Sequence, residues 1–268
     1  MFKSSITISQ VEEAVNGPFV LRSPLPDAFA TAAATGFNAV ELFLPSPDYV
    51  STKEVASLAL YHGLEIAAVG TGAGLLRHGL TITDTDVDRR CEALDFVFAM
   101  IDFGGRLGAP AILGSMQGSG DHEEARDLLA AGLRECGARA ERYGVPFIYE
   151  PLNRYETRLF NRLGDAARFL EQHELTNVQL LADLFHMNIE EQDPASAIRD
   201  AGSHIGHVHY ADSNRQAMGF GHTDAGRMIA ALRDIGYEGY LSAEILALPD
   251  PETAARQTIS SIHSFILP

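Results

Sequence analysis

Short apolar runs alternate with longer amphipathic segments along the whole chain of 268 residues. The short runs are bounded by turn residues, as is typical of buried strands. Between them apolar residues recur at spacings of three and four, as in 91–107, which indicates helices with one buried face. Strands are predicted near residues 5–9, 39–43, 65–70, 111–114, 146–150, 178–183, 205–212 and 240–245. This alternation predicts repeated βα units and a parallel sheet.

Eight βα units can close in two ways, as an open doubly wound sheet or as a (β/α)₈ barrel. An open sheet that binds a dinucleotide would carry a glycine-rich turn after an early strand, and Gly70, Gly72 and Gly74 follow the third predicted strand. The last of these glycines is not at the spacing of that motif, so a tight βα loop is the better interpretation. We therefore predict an α/β protein with a single (β/α)₈ TIM-barrel domain over residues 1–268.

Composition and charge narrow the functional classes. The chain is 46% hydrophobic and 21% charged, with a formal net charge of −16. Such a charge disfavours nucleic acid as a partner, because that binding needs Lys and Arg to neutralise phosphates. Two cysteines cannot form a disulfide framework, which favours a reducing, cytoplasmic location. The sequence shows no export signal and no apolar run long enough for a membrane span, so no membrane association is expected.

Four residues of metal-ligand type stand where the last four predicted strands end. They are Glu150, Asp183, His209 and Glu244, spaced by roughly one βα unit of about 30 residues. In a barrel these strand ends meet at one mouth, so the four side chains are expected to converge at one level. Taken singly, a strand-end Glu or His is more often structural. Three carboxylates together would repel one another without a cation, and their oxygens suit Mn²⁺, Mg²⁺ or Co²⁺.

Several segments around these residues resemble a known family. They read YEPLNRYET at 149–157, LADLFHMNIEE at 181–191, HVHYADSNRQAMGFGHTD at 207–224 and GYEGYLSAE at 236–244. Together they resemble the xylose-isomerase-like sugar isomerase/epimerase superfamily, most closely its ketose 3-epimerase branch, which includes the D-tagatose and D-psicose epimerases. The resemblance is strong over the second half of the chain and rests on weaker features, such as GFNAVEL at 36–42, in the first half.

The resemblance implies a (β/α)₈ barrel that holds one divalent metal ion, often Mn²⁺. Its metal ligands would be the four strand-end residues already described, and Glu150 and Glu244 would also act as the two catalytic bases. It further implies substrate contacts from Glu156, His186 and Arg215. The reaction would move a proton through a metal-stabilised enediolate of a sugar or polyol. The family commonly forms homodimers or homotetramers.

Other functions remain open at this point. The same metal site could serve an aldose–ketose isomerase, or an inosose-type isomerase or dehydratase. The endonuclease branch of the superfamily would need more metal ligands and a basic surface, which the charge disfavours. A non-catalytic sugar-binding barrel would not need both glutamates. The absence of Trp leaves the identity of the sugar open. Glu41 is interpreted as a polar group in the barrel mouth without a catalytic role.

Overall fold

Eight parallel strands form the centre of the molecule, and the computed structural model describes them within residues 2–266. The strands are β1 (Lys3–Ser9), β2 (Ala39–Phe43), β3 (Glu65–Gly70), β4 (Ala111–Leu113), β5 (Phe147–Tyr149), β6 (Val178–Asp183), β7 (Ile205–His209) and β8 (Tyr240–Ala243). Each strand pairs with the next, and β1 also pairs with β8, so the sheet closes into a barrel. The predicted (β/α)₈ fold is confirmed. Residues 1, 267 and 268 of the predicted domain lie outside the described residues.

Helices follow the strands and cover the outside of the barrel. They are α1 (Leu25–Thr35), α2 (Thr52–His62), α3 (Ala73–His78), α4 (Val87–Gly105), α5 (Ala125–Glu141), α6 (Leu163–Gln172), α7 (Leu184–Glu190), α8 (Pro194–Ala201), α9 (Ala225–Asp234) and α10 (Pro251–Ile266). Gly36 ends α1 with a φ of 100° and Gly63 ends α2 with a φ of 67°. Glycine adopts this left-handed conformation without a side-chain clash, which lets a short loop lead into the next strand.

Several strands end earlier than their apolar pattern predicts. The predicted strands 146–150, 205–212 and 240–245 end in the structure at Tyr149, His209 and Ala243. Asp183 and His209 are therefore final strand residues, whereas Glu150 and Glu244 each lie one position beyond a strand. The predicted common level holds for Asp183 and His209, which are register partners on β6 and β7, but it was wrong for Glu244, because His209 pairs with Ser242. Strands tilt by about 36° in such barrels, which still brings staggered residues to one mouth.

The interior of the barrel has an apolar half and a polar half. Ala68, Ile112, Ile148 and Leu181 form a buried apolar cluster from β3 to β6. The opposite half, from β7 through β1 to β2, buries polar side chains instead. These are Ser5, Thr7, Glu41, His207, His209 and Ser242. An interior of a (β/α)₈ barrel is ordinarily filled by branched apolar residues, so the polar half indicates a chemical role for that side of the mouth.

Two further expectations concern the cysteines and the membrane. Cys91 is exposed and Cys136 is buried, and both are free thiols. Burial raises the pKa of the Cys136 thiol well above its usual range. Within residues 2–266, every helix is too short or too polar to cross a bilayer.

Candidate active site at the barrel mouth

A cavity of about 460 Å³ opens at the carboxyl ends of the strands. Its floor carries Glu41, Glu150, His209 and Glu244, and its walls include His186 and Arg215. Apolar side chains also line the cavity, among them Phe19, Phe43, Leu75, Leu76 and Ile112. The predicted tight loop after β3 contributes Thr71 and Gly72 to the wall. A cavity with convergent polar groups against an apolar wall is the usual form of a small-molecule site.

The four strand-end side chains predicted as metal ligands do converge. Glu150, Asp183 and His209 each offer a ligand atom within 4.8 Å of the other two. The Nδ1 atom of His209 lies 3.2 Å from Asp183 Oδ2 and 3.6 Å from Glu150 Oε1. It also lies 3.6 Å from Glu244 Oε2. Three carboxylates therefore surround one imidazole nitrogen, an arrangement that would suit a cation held mainly by oxygen.

The surroundings of Glu150 test whether these residues fit a metal ion. Its Oε1 atom is buried and has no hydrogen-bond partner. Burial raises the pKa of Glu150 to about 7, because a charged carboxylate loses its hydration there. A Cβ atom on Gly114 would lie 2.6 Å from Glu150 Oε2, so only glycine leaves room for this carboxylate. An unpartnered buried oxygen beside two further ligand groups fits a divalent cation.

Arg215 reaches the same carboxylates from the loop after β7. Its Nη1 atom lies 2.9 Å from Asp183 Oδ2, and its Nη2 atom forms an ion pair with Glu244. The guanidinium also lies over the ring of Phe185, 4.9 Å from its centroid. Although burial opposes its charge, the neighbouring carboxylates, with Asp183 first, raise the pKa of Arg215 above its usual value. A permanent positive charge therefore stands at the edge of the carboxylate cluster.

A buried aspartate that sequence reasoning missed fixes the loop that carries Arg215. Asp212 is fully buried, and its carboxylate accepts four backbone N–H groups at 2.7 to 2.9 Å. The donors are Ser213, Gly219, Gly221 and Thr223. Burial alone would raise its pKa, but these bonds lower the pKa of Asp212 to about 2. Arg215 itself has a φ of 61°, a conformation uncommon outside glycine.

His186 presents one defined nitrogen to the cavity. Its Nδ1 atom accepts a hydrogen bond from the backbone N–H of Asn153 at 3.3 Å, and its Nε2 atom lies 3.3 Å from the Nη1 atom of Arg215, a second N–H donor. Nε2 lies 3.7 Å from Glu150 Oε1 and 3.8 Å from Asp183 Oδ2. Burial lowers the pKa of His186 to about 4, which leaves the ring neutral at pH 7. His186 is therefore a neutral imidazole whose Nε2 atom lies beside the carboxylate cluster and the guanidinium of Arg215.

Glu156 lies at the outer edge of the cavity and shares Asn153 with His186. The Nδ2 atom of Asn153 donates to Glu156 Oε1 at 2.9 Å and lies 2.7 Å from His186 Nδ1. The Glu156 side chain is 45% exposed. Asn153 was not predicted from the sequence, although it stands in the NRYE segment between the two glutamates of interest. One amide therefore holds two of the three predicted substrate-binding residues in place.

Glu41 is a buried partner of the histidines on β7, a role that its assignment as a polar group in the mouth did not foresee. Its Oε2 atom accepts from His207 Nε2 at 2.8 Å, and its Oε1 atom accepts from His209 Nε2 at 3.2 Å. Burial would raise its pKa, but the charge of His209 and the hydrogen bonds from both imidazoles lower the pKa of Glu41. The Nε2 atom of His209 is therefore bonded to Glu41, and its Nδ1 atom faces the carboxylate cluster.

Replacing Glu41 by glutamine is expected to weaken metal binding about 10- to 100-fold, the usual effect of losing a carboxylate behind a ligating histidine. The amide –NH₂ would face one of the two imidazole N–H groups, so one histidine would lose its acceptor. Isothermal titration with Mn²⁺ measures the affinity. Glu65→Gln, at the opposite end of the barrel where Glu65 pairs with Lys3, is the matched control. Unchanged Mn²⁺ affinity in Glu41→Gln would show that Glu41 does not position His209.

The closed barrel and the carboxylate–histidine cluster at its mouth define a class of proteins, the (β/α)₈ barrels that act at the strand ends. The sequence profile described as "Xylose isomerase-like TIM barrel" matches residues 29–265. The chain belongs to this family.

Three similar proteins illustrate the range within this family. An L-ribulose 3-epimerase of Mesorhizobium japonicum is 32% identical over 232 residues, which cover 83% of this chain and 76% of the relative. A 3-dehydro-D-guloside 4-epimerase of Escherichia coli is 37% identical over 140 residues, and the match spans only 53% of that relative and 52% of this chain. The crystal structure of a D-allulose 3-epimerase from Methylomonas sp. has a TM-score of 0.82 at 24% identity and covers 99% of both chains. The last comparison shows the shared fold.

Proposed function

We propose that the protein is a divalent-metal-dependent ketose 3-epimerase. Glu150, Asp183, His209 and Glu244 would hold the metal, and Glu150 and Glu244 would exchange the proton at C3. The observation that carries the proposal is the position of these two glutamates after β5 and β8, strands that are not neighbours in the barrel, on either side of Asp183 and His209. The 32% identity to an L-ribulose 3-epimerase over most of both chains supports it.

Inversion at a carbon beside a ketone needs a base on each face of that carbon. A divalent cation would polarise the carbonyl and lower the barrier to removal of the neighbouring proton. One glutamate takes the proton from its face, and the other gives a proton to the opposite face. Burial raises the pKa of both Glu150 and Glu244, which suits groups that must alternate between acid and base near neutral pH.

The remaining polar groups would orient the sugar. His186 and the Arg215 guanidinium would form hydrogen bonds with oxygens near C1 and C2, and Glu156 would bind the same end. The oxygen-rich ligand set favours Mn²⁺, with Mg²⁺ and Co²⁺ as alternatives. The cytoplasmic location and the homodimeric or homotetrameric state stay predictions.

The test of this function is isotope incorporation from D₂O. The chelator-treated protein is supplied with Mn²⁺, Mg²⁺ or Co²⁺ and then with D-fructose, D-psicose, D-tagatose, L-ribulose or an inosose. A 3-epimerase places deuterium at C3 and inverts that carbon. Deuterium at C1 with formation of an aldose would identify an aldose–ketose isomerase instead, and turnover of inososes alone would identify an inosose enzyme.

Replacing His186 by alanine is expected to lower kcat/KM by about 10²-fold while the metal content stays at the wild-type level. The reason is that the His186 Nε2 atom would hydrogen-bond to a sugar oxygen, whereas the metal would be held by other residues. Elemental analysis of the purified variant measures the metal, and initial rates measure the turnover. His186→Asn, which keeps an N–H donor, is expected to recover part of the loss. Loss of the metal from His186→Ala would instead make His186 part of the ligand shell.

A further inference from the structure

A second cavity of about 500 Å³ adjoins the catalytic one. Four residues line both cavities, namely Leu75, Ser115, Leu152 and Glu156. Because these side chains face both spaces, the two cavities are neighbours at the barrel mouth. Glu156, which lies 3.8 Å from His186 in the catalytic cavity, marks the boundary between them.

Five of the eleven residues that line the second cavity carry hydroxyl groups. Besides the four shared residues its walls are Thr81, Thr83, Asp84, Thr85, Gly118, Ser119 and His122. Leu75 and Leu152 add an apolar surface on one side. Sugars offer hydroxyl groups around a ring and C–H groups on its faces. Walls of this kind therefore suit a sugar ring, whose hydroxyls need donors and acceptors while its faces need apolar contact.

His122 provides the most specific sign of a ligand. Its Nε2 atom lies 2.7 Å from the carbonyl oxygen of Thr83, and because a carbonyl only accepts, Nε2 carries the hydrogen. Its Nδ1 atom is then an acceptor, and it is buried without a hydrogen-bond partner. Buried acceptors are nearly always satisfied in folded proteins. A hydroxyl donor that reaches Nδ1 through a rotation of the ring would satisfy this one.

The volumes show that a free ketohexose does not need the second cavity. At the roughly 30 Å³ that one water molecule occupies in the liquid, the twelve or so non-hydrogen atoms of a ketohexose would fill about 360 Å³. Covalent bonding makes the true figure smaller. The catalytic cavity alone, at about 460 Å³, holds such a sugar.

We propose that the second cavity binds a glycosyl group, so that the preferred substrate is a ketose joined to a second sugar residue. This inference rests on the proposed epimerase function. The ketose lies at the carboxylate cluster, and the attached ring lies among Thr81, Thr85, Ser119 and His122. Glu156 contacts both parts from its place between the cavities.

The test compares D-fructose with three glucosyl-fructoses whose C3 hydroxyl is free: trehalulose, leucrose and isomaltulose, joined through O1, O5 and O6. With the Mn²⁺-loaded protein in D₂O, at least one disaccharide is expected to exceed D-fructose in kcat/KM by about tenfold or more. Equal or better turnover of D-fructose than of every disaccharide would overturn the inference and leave the epimerase function intact.

Two variants locate the effect. His122→Phe removes the acceptor and fills the cavity, and Thr85→Tyr narrows it from an exposed position in case the first variant fails to fold. Both are expected to lower the disaccharide-to-fructose ratio of kcat/KM about tenfold, whereas His263→Phe, at an exposed position on α10, leaves the ratio unchanged. A ratio that neither cavity variant changes would overturn the inference.

A binding measurement separates this inference from the proposed function. If no sugar takes up deuterium, the proposed function fails. Calorimetry then measures sugar binding and tests the glycosyl site independently of turnover. Tighter binding of a glucosyl-fructose than of D-fructose, weakened by Thr85→Tyr, would still support a glycosyl site. Equal binding of all four sugars would reject it.

Discussion

Replacing Glu244 by glutamine is expected to lower the rate of ketose epimerisation about 10²- to 10⁴-fold at saturating Mn²⁺, the range that general acid–base catalysis contributes. Gln cannot take up or release the proton on its face of C3. Its amide oxygen still offers the metal a neutral ligand, and Asp183, His209 and Glu150 remain. The variant should therefore bind metal and substrate and yet fail to invert C3. Initial rates with D-psicose and elemental analysis of the bound metal measure both effects.

Isotope exchange makes this prediction sharper. In Glu244→Gln the intact Glu150 can still remove and return the proton on its own face, so one C3 epimer should acquire deuterium from D₂O without inversion. Glu150→Gln should show the same behaviour with the other epimer. Glu54→Gln, at an exposed position on α2, is the matched control and should behave as the wild type. Full turnover by Glu244→Gln with metal bound, or exchange of both epimers, would reject the two-base mechanism.

Much of the fold follows from periodicity in the sequence. Strand positions were correct to within a few residues because buried parallel strands are short apolar runs and helix ends carry glycines such as Gly36. The ends of β7 and β8 were placed too late, since buried apolar and aromatic residues continue past the last strand residue, and β5 ends one residue before the predicted Glu150. Tyr210 illustrates this: it is fully buried, but it follows β7 and its N–H bonds to the carbonyl oxygen of Ser242.

Only those site residues that lie at the end of a predicted strand could be predicted from the sequence. Glu150, Asp183, His209 and Glu244 were found because each follows a strand, and strand ends of a barrel meet. The partners of these residues were not found. Glu41 bonds to histidines 166 and 168 positions away, and no local pattern indicates such a pair. The one available signal was the spacing of His207 and His209, which places both side chains on the same face of β7.

Arg215 has contacts with the carboxylate cluster that its predicted role in substrate binding did not include. Its DSNR segment resembles a substrate-binding loop, and that role stays a prediction. The structure adds its contacts with Asp183 and Glu244, which depend on the path of the loop fixed by Asp212. Backbone bonds to a buried carboxylate arise from the folded loop and leave no periodic trace in the sequence. Loops at a barrel mouth are therefore the part of the site that sequence reasoning defines least.

Asp183→Asn is expected to abolish tight metal binding, with the dissociation constant for Mn²⁺ rising at least about 100-fold, and to abolish turnover with it. Asp183 is the proposed ligand that lies deepest, with a side chain fully shielded from solvent. It also caps α7, because its Oδ1 atom accepts from the N–H groups of Phe185 at 2.8 Å and His186 at 3.2 Å. Asn caps a helix as well as Asp does, so this substitution removes the charge and keeps the cap.

Comparison with Asp183→Ala separates the two roles of this residue. Alanine removes both the charge and the cap. Asp183→Ala should therefore lose metal to the same extent as Asp183→Asn, and its free energy of unfolding should be about 1 kcal/mol lower. Isothermal titration with Mn²⁺ gives the affinities, and urea unfolding of the metal-free proteins gives the stabilities. If Asp183→Asn bound Mn²⁺ as tightly as the wild type, Asp183 would be a structural cap beside Arg215 and the ion would have to be held by the other three side chains. The local sequence cannot distinguish these roles, because the same oxygen-bearing side chain ends β6 and begins α7.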